Sequence, residues 1–420
     1  MLDVGFLRAA SRLRERRVTI MQAIIRRPVT IAMAMALGFA TLSPASGGVP
    51  RRVVERSANV SARVISTRFI FKTEPGTNTQ TPAITSGSGI TQADWWLFAA
   101  QDDSTLVAVK GTDGALEAVR VFPSVDGSDR FSDVYGNKKL KPDLEAALTI
   151  PVASGFARGF GVEVSRNRPT VQAVLLVGSG SKAVLRDRMA LIFPKDPVAE
   201  SMAIPVQASA LYEAMRREPA LVGTEGELNI EGVSLVRGNS CLRFYNRGNG
   251  RKGSVVGSVD IRLDALLGYL VKASKDPKEP FTPRFERRVS YDLGLAEDGE
   301  TIGITDAITI PPLPGAPRGM RGEIHAMSVV VEHTKSAVND GYTSDAGIVL
   351  ELPDGRLVMA PFRGIEGAGS LKVEGLSIVS ARWVGRTPQL EINFVAVTDS
   401  DSKDIETPST LAKVEVVFRP

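Results

Sequence analysis

Glu231 stands directly before Gly232 in the run LNIEGVSLV, and Glu374 stands directly before Gly375 in LKVEGLSIV. Carboxylates at matching places beside a glycine are candidates for activating water or holding a metal ion. Asp306 in ITDAITI, with Asp143 or Glu145 in KPDLEAAL, falls at a comparable place, which makes Glu231, Asp306 and Glu374 the candidate metal ligands. Carboxylates about 5 Å apart repel by about 3 kcal/mol at an effective dielectric of about 20. A ring of them therefore needs protons, a cation or basic partners. Basic partners are at hand: Lys139 and Lys141, Arg186 or Arg188 in GSGSKAVLRDR, and Arg247 in NRGN. The planar fork of arginine suits a carboxylate or a phosphate. A compensated network would be structural, whereas an uncompensated one would hold Ca2+ or an anionic or polyol ligand.

Other motifs carry less chemistry. VGSGSK lacks the Walker spacing and reads as a turn. No G-x-S-x-G precedes a helix, so the sequence offers no nucleophile elbow. A Ser-His-Asp triad would have to use His325 or His333, the chain's two histidines; His333, beside Glu332, is open to it, but a packed or surface role is the default. DSDSKD at 399–404 has neither the glycine nor the distal Glu of a calcium-binding EF-hand loop, so a solvated turn is its first reading and a cation site its second.

The elements that must position these residues are short β-branched runs broken by turn chemistry. Five times, a short first strand leads through a turn to a more apolar second strand that ends in a polar cluster. The five ends are Asp102-Asp103, Ser179 with Ser181, Asn246-Arg247, Glu332-His333, and Asp399 with Asp401. Further strand-like runs follow each pair. Repeats of roughly 55–85 residues with about four strands predict an all-β fold, a single closed β-propeller, in which each repeat is one blade. Five blades are the preferred count; six is the alternative, because the stretch 186–226 could hide one. The last strand, LAKVEVVF, lacks a partner within its own repeat, and SARVISTRFIF at 61–71 is expected to supply it, closing the ring and removing exposed edges. Helical periodicity is confined to the stretches 206–218 and 263–274. In such a fold the innermost strands line a channel, and glycines at 232 and 375 keep them slim.

The first residues read as a leader. After Met21 come Arg26 and Arg27, an apolar run from Val29 to Leu42, and small residues ending at Ala45. That is the layout of a secretory signal peptide, with Met21 as the true start, and the run is too short to span a bilayer comfortably. The expected organisation is a leader over 1–45, a linker over 46–59 and one propeller domain over 60–420, exported to the periplasm or medium. The leader carries seven Arg and two acids, net +5, of the whole chain's +4, so the mature chain is near −1 and gives nucleic-acid binding no support. A lone cysteine, Cys241, rules out an intramolecular disulfide, and with two histidines leaves little for a Cys/His zinc site. No membrane span is expected in the mature chain, which is expected to act as a monomer.

KPDLEAAL, then LLVGSGS with its following arginine, then LNIEGVSLV and NRGN, in this order, resemble bacterial propeller domains of unknown function. Those domains are distantly similar to secreted, esterase-like phytase propellers. VVVEHT, DGYTSDAG and KVEGLSIV extend the likeness over most of 80–420. The resemblance implies a site formed by Asp102, Asp143, Glu145, Ser179, Arg186, Glu231, Asn246, Arg247, Glu332, Asp340 and Glu374. The chain departs from that pattern by a long insert at 152–170 and by the Pro-rich PPLPGAPRG at 311–319. Two function classes follow. One is a hydrolase of phosphate or other anionic esters, with Ca2+ as a cofactor, in which Glu231, Glu374 and Glu145 activate water or hold metal and Arg247 and Arg186 hold the anion. The other is a non-catalytic propeller that binds a ligand or a protein through the same face.

Overall fold

A computed structural model describes residues 49–69, 86–111, 116–133, 135–165, 167–224, 226–248, 255–296, 299–333, 343–399 and 409–420. The leader, and Asp340 of the candidate site, lie outside the described residues. The chain from Val49 to Pro420 forms one unit. Its strands run, in chain order, β1 (Arg51–Arg56), β2 (Val60–Phe69), β3 (Gly87–Ala93), β4 (Trp96–Gln101), β5 (Leu106–Lys110), β6 (Leu116–Arg120), β7 (Leu144–Ala153), β8 (Thr170–Gly178), β9 (Arg188–Phe193) and β10 (Met202–Gln207). Then come β11 (Ile230–Val236), β12 (Cys241–Asn246), β13 (Val256–Arg262), β14 (Phe285–Asp292), β15 (Ile302–Ile310), β16 (Ile324–Glu332), β17 (Thr343–Glu351) and β18 (Leu357–Arg363). The last are β19 (Val373–Val384), β20 (Gln389–Thr398) and β21 (Thr410–Phe418).

Antiparallel pairing groups these strands into five four-stranded sets among the described residues: β3–β6, β7–β10, β11–β14, β15–β18, and β19–β21 with β2. The expected closure is present, since β2 pairs antiparallel with β21 from Val60 opposite Phe418 to Phe69 opposite Thr410. The first strands lie side by side in the order β3, β7, β11, β15, β19 and back to β3. This is an all-β, propeller-type arrangement. Each neighbouring pair of sets shares one apolar core. Phe98, Val109, Leu176 and Ile192 pack between the first and second sets, and Leu175, Leu191, Phe244 and Val259 between the second and third. Val289, Ile304, Val329 and Val349 join the third to the fourth, and Ile348, Leu350, Ile392 and Phe394 the fourth to the fifth. The seam between fifth and first sets is small, built on Ile90, Ala99, Ala108, Val397 and Leu411. It is supplemented by the Gly87 amide donating to Ser409 Oγ at 2.8 Å.

The stretch expected as a linker carries structure. β1 runs parallel to β14 through Arg51 opposite Ser290, and parallel to β18 through Val54 opposite Leu357. It thereby satisfies backbone groups on two outer edges that would otherwise be open. The helices fall where the periodicity put them, at Ser209–Arg216 and Leu263–Ala273. The stretch 186–226 holds β9, β10 and two short helices. Gly355, at φ +89, makes the turn between β17 and β18 in the stretch Pro353-Asp354-Gly355, where glycine supplies the positive φ without a Cβ clash. The insert at 152–170 ends β7 and forms a short helix, Ser154–Gly159, whose Gly159 approaches Val271 of the Leu263–Ala273 helix. Among the described residues no helix is long and apolar enough to cross a membrane.

Candidate functional site

Each inner strand carries the same irregularity. Near its start, the ladder to the second strand skips one residue, a β-bulge that re-aims the skipped side chain. The skipped residues are Ser88, Glu145, Glu231, Thr305 and Glu374. Three of the five are carboxylates, and all three were candidates from the sequence. The other two use their hydroxyls as links: Ser88 Oγ donates to the Leu144 carbonyl and Thr305 Oγ1 to the Val373 carbonyl, each on the next inner strand.

The position after the bulge faces the neighbouring inner strand, which explains the glycines. A Cβ on Gly232 would meet the Ala307 nitrogen at 2.8 Å, one on Gly375 the Ile90 nitrogen at 2.7 Å, and one on Gly89 the Ala147 nitrogen at 2.6 Å. Asp306 occupies this second position, not the bulge. Its carboxylate accepts the Leu376 amide of β19 at 2.6 Å, and burial drives its pKa well above the usual range. Asp306 is thus a bond between neighbouring strands and does not join the metal set expected of it. The correction is a shift of one residue, which in a strand re-aims the side chain.

Around the bulges, side chains from all five sets converge. Asp143, just before β7, meets Lys141 at 2.8 Å and Arg186 at 2.8 Å, and accepts from Ser179 and, at 3.1 Å, from Ser181. Lys141 also pairs with Asp102 of the first set. Glu231 accepts from Asn229 and, at 3.2 Å, from Arg247, whose other nitrogen pairs with Glu332 of the fourth set. Gly303 gives Arg247 its space, because a Cβ there would lie 2.9 Å from the arginine Cγ. Lys372 meets Glu374 at 2.9 Å, Asp399 at 3.2 Å and Glu332 at 4.0 Å. Asn246 is a brace: its Oδ1 accepts the Asn229 amide at 2.6 Å.

The bases divide differently from expectation. Lys141 and Arg186 are buried in the cluster, whereas Lys139 is exposed and Arg188 lies apart beside Phe122. Lys372 and Asn229 were not anticipated as site residues. The signal was present, since Lys141, Asn229 and Lys372 each stand after a leucine and two residues before an acid.

Electrostatics separate the carboxylates by role. Burial pushes Asp143 up, but Lys141 and Arg186 outweigh it and hold its pKa below the usual value. Glu145 goes the other way, raised well above its ordinary value by burial and then by Glu231, Asp143 and Asp102. It makes no hydrogen bond or ion pair among the described residues and is 8% exposed. Burial also raises Glu231, against the pull of Arg247 and Lys372. The described cluster counts seven carboxylates (Asp102, Asp143, Glu145, Glu231, Glu332, Glu374, Asp399) against four cations (Lys141, Arg186, Arg247, Lys372). Asp102, Asp143 and Glu145 can each bring one oxygen within 4.8 Å of the others, a donor set of the hard, all-oxygen type that a divalent metal ion takes.

No curated protein matches the sequence. Among solved structures, Sqt1 of Chaetomium thermophilum bound to the N-terminus of a ribosomal protein is similar at 12% identity and a TM-score of 0.27, with 80% of this chain and 58% of that chain covered. This chain thus spans under two thirds of that protein's length. A virginiamycin B lyase from Staphylococcus aureus matches at 10% identity and a TM-score of 0.33, over 84% and 99% of the two chains. An α-L-arabinofuranosidase from Podospora anserina, in complex with cellotriose, matches at 9% identity and a TM-score of 0.37, over 86% and 98%. A family model covers residues 83–416, which span all five bulges and every charged group of the cluster, and the chain belongs to that family, the family of unknown function DUF6929.

Proposed function

We propose that the five sets are the five blades of a closed propeller and that the converging cluster is a hydrolytic site for phosphate or other anionic esters. The observation that carries this reading is Glu145, a buried carboxyl without a partner in a cluster whose carboxylates exceed its cations by three. Such an excess accommodates an anionic substrate only together with a cation. Asp102, Asp143 and Glu145 would hold that cation, Ca2+ by preference, with Glu145 releasing its proton as it binds. The cation would supply charge neutralisation at the ester.

The chain's own residues supply the rest. Glu231, held by Asn229 and Arg247 and with its pKa raised by burial, is the base that takes a proton from attacking water. Glu374, positioned by Lys372, is its counterpart on the fifth blade. Arg247 and Arg186 orient the anion by exchanging part of their carboxylate contacts for it. A second reading, a binding propeller without turnover, is favoured by one observation: each of the four basic side chains already pairs with a carboxylate. The leader over 1–45 supports export, tested by whether full-length protein reaches the periplasm cut near Ala45.

The test uses the purified protein with a panel of phosphate and carboxylate esters, with and without Ca2+. Calcium-dependent turnover abolished by Glu231→Gln supports the hydrolase. Calcium should also raise the melting temperature by mass action, and Glu145→Gln should erase that gain. Ligand-induced stabilisation without turnover supports the binding reading.

A further inference from the structure

A second site lies away from this cluster, in the cleft between the outer strands of the first and second sets. Arg188, Ala190 and Ile192 of β9 face the first set, and the two apolar members join its core with Val119, Val121 and Phe122. Arg188 is the polar end of that row. Its guanidinium lies over the Phe122 ring, 5.5 Å from the centroid, and among the described residues no carboxylate pairs with it. Burial alone acts on it, lowering its pKa, with no acid to offset the cost. A half-buried arginine that stacks on an aromatic ring and lacks an anion has its fork open for one.

In front of Arg188 is a cleft of about 250 Å³. It is lined by Phe122, Pro123, Ser124, Val125, Pro205, Val206 and Gln207. The polar side chains are already engaged: Ser124 bonds Arg120 and Asp129, and the Gln207 amide donates to the Val184 and Asp187 carbonyls and to Ser209. What remains is one unneutralised fork above apolar walls. The volume is below the roughly 300–1,000 Å³ of pockets for drug-sized ligands. We propose that this cleft binds a carboxylate carried on a small apolar group, either a free organic acid or the C-terminal residue of a peptide, with Arg188 gripping the carboxylate and Pro123, Val125, Pro205 and Val206 covering the apolar part. The site is independent of the carboxylate cluster and of any hydrolytic role for it.

The test is ligand-observed NMR and calorimetry on the full chain with benzoate, benzamide, and a dipeptide ending in leucine as the free acid or the amide. Benzoate should bind with a Kd on the order of 1 mM, as expected for so small a ligand. Benzamide should bind at least tenfold more weakly. Arg188→Gln should remove benzoate binding, and Val125→Glu, which supplies an internal carboxylate and leaves Arg188 in place, should do the same. Glu145→Gln should leave it unchanged. A free-acid dipeptide that binds more tightly than benzoate identifies a chain terminus as the source, and the reverse order identifies a free acid. Equal binding of benzoate and benzamide, retained binding in a folded Arg188→Gln protein, or loss in Glu145→Gln would overturn the proposal.

Discussion

Two buried charge networks in this protein use the same side-chain types and reach opposite balances. The first is the cluster around the bulges. The second bolts the third set to the fourth. There Arg243 of β12 meets Asp260 of β13 through Nε at 2.6 Å and Nη2 at 3.1 Å, and reaches Glu351 of β17 at 3.5 Å. Arg52 of β1, Arg287 of β14 at 3.3 Å and the Tyr291 hydroxyl at 3.2 Å also converge on Glu351. Arg243, Asp260 and Glu351 are all 2% exposed or less. Burial raises Glu351, but Arg243, His325, Arg52 and Arg287 outweigh it and hold its pKa low. Guanidinium is in surplus there, whereas carboxylate is in surplus in the bulge cluster. A network with its carboxylates over-neutralised has nothing left for a ligand. The bulge cluster instead keeps Glu145, whose carboxyl makes no hydrogen bond or ion pair among the described residues and whose pKa burial raises.

The largest expected effect tests the bolt. Arg243→Leu leaves Asp260 and Glu351 without their shared partner, and chemical denaturation should show a loss of about 3–5 kcal/mol. A loss below 1 kcal/mol would mean that the remaining arginines suffice, and the contrast between the networks would weaken.

His325, beside the same bolt, makes the next prediction. Burial and the repulsion of Arg243 lower its pKa to about 4, so it is neutral in the fold while it titrates near 6.5 in the unfolded chain. The unfolded state therefore binds the extra proton, and the stability His325 contributes is complete above pH 6.5 and lost as the pH falls toward 4. The loss should be about 3 kcal/mol over that window. His325→Phe should flatten this slope in urea melts, and an unchanged slope would remove His325 from the network.

Arg247→Ala tests the bulge cluster in the same way. It strands Glu231 and Glu332, but Asn229 and Lys372 remain nearby, so the loss should be smaller, roughly 2 kcal/mol. A cost equal to that of Arg243→Leu would erase the distinction between the two regions.

The smallest effect has the opposite sign. Glu145 has a folded pKa raised above its unfolded value, so its contribution is complete below about pH 4.5 and declines as the pH rises toward the folded pKa. In calcium-free buffer, Glu145→Gln should therefore stabilise the protein slightly at alkaline pH and make no difference at pH 4. Destabilisation at pH 8 would show that Glu145 has a structural partner, and would remove the observation on which the proposed site rests.

Much of the architecture was legible in local pattern. Alternating β-branched runs, the Pro-Asp-Gly turn and five repeated strand pairs are short-range signals, and the unpaired last strand called for β2 as its partner. Glu231 and Glu374 were also legible as matching positions, because each stands beside a glycine that the tight approach of the next inner strand requires, whereas the sequence left the choice between Asp143 and Glu145 open. β1 was not: its partners are two outer edges far along the chain, and nothing in RRVVER announces them.

The sequence by itself determined the repeat, the strands, the pairing of β2 with β21, and Glu231 and Glu374 as matching carboxylates beside glycines. Only the tertiary structure decided that Asp306 stands one residue past its bulge, and that Lys141 and Lys372 fill the cluster while Lys139 stays outside. It also decided that Glu145 is left without a partner while Glu351 has several. The physical reason is range. Period-2 patterning and turn chemistry act between near neighbours in the chain, whereas a one-residue bulge and the pairing of buried charges depend on strands that meet only when the five sets pack around a common centre.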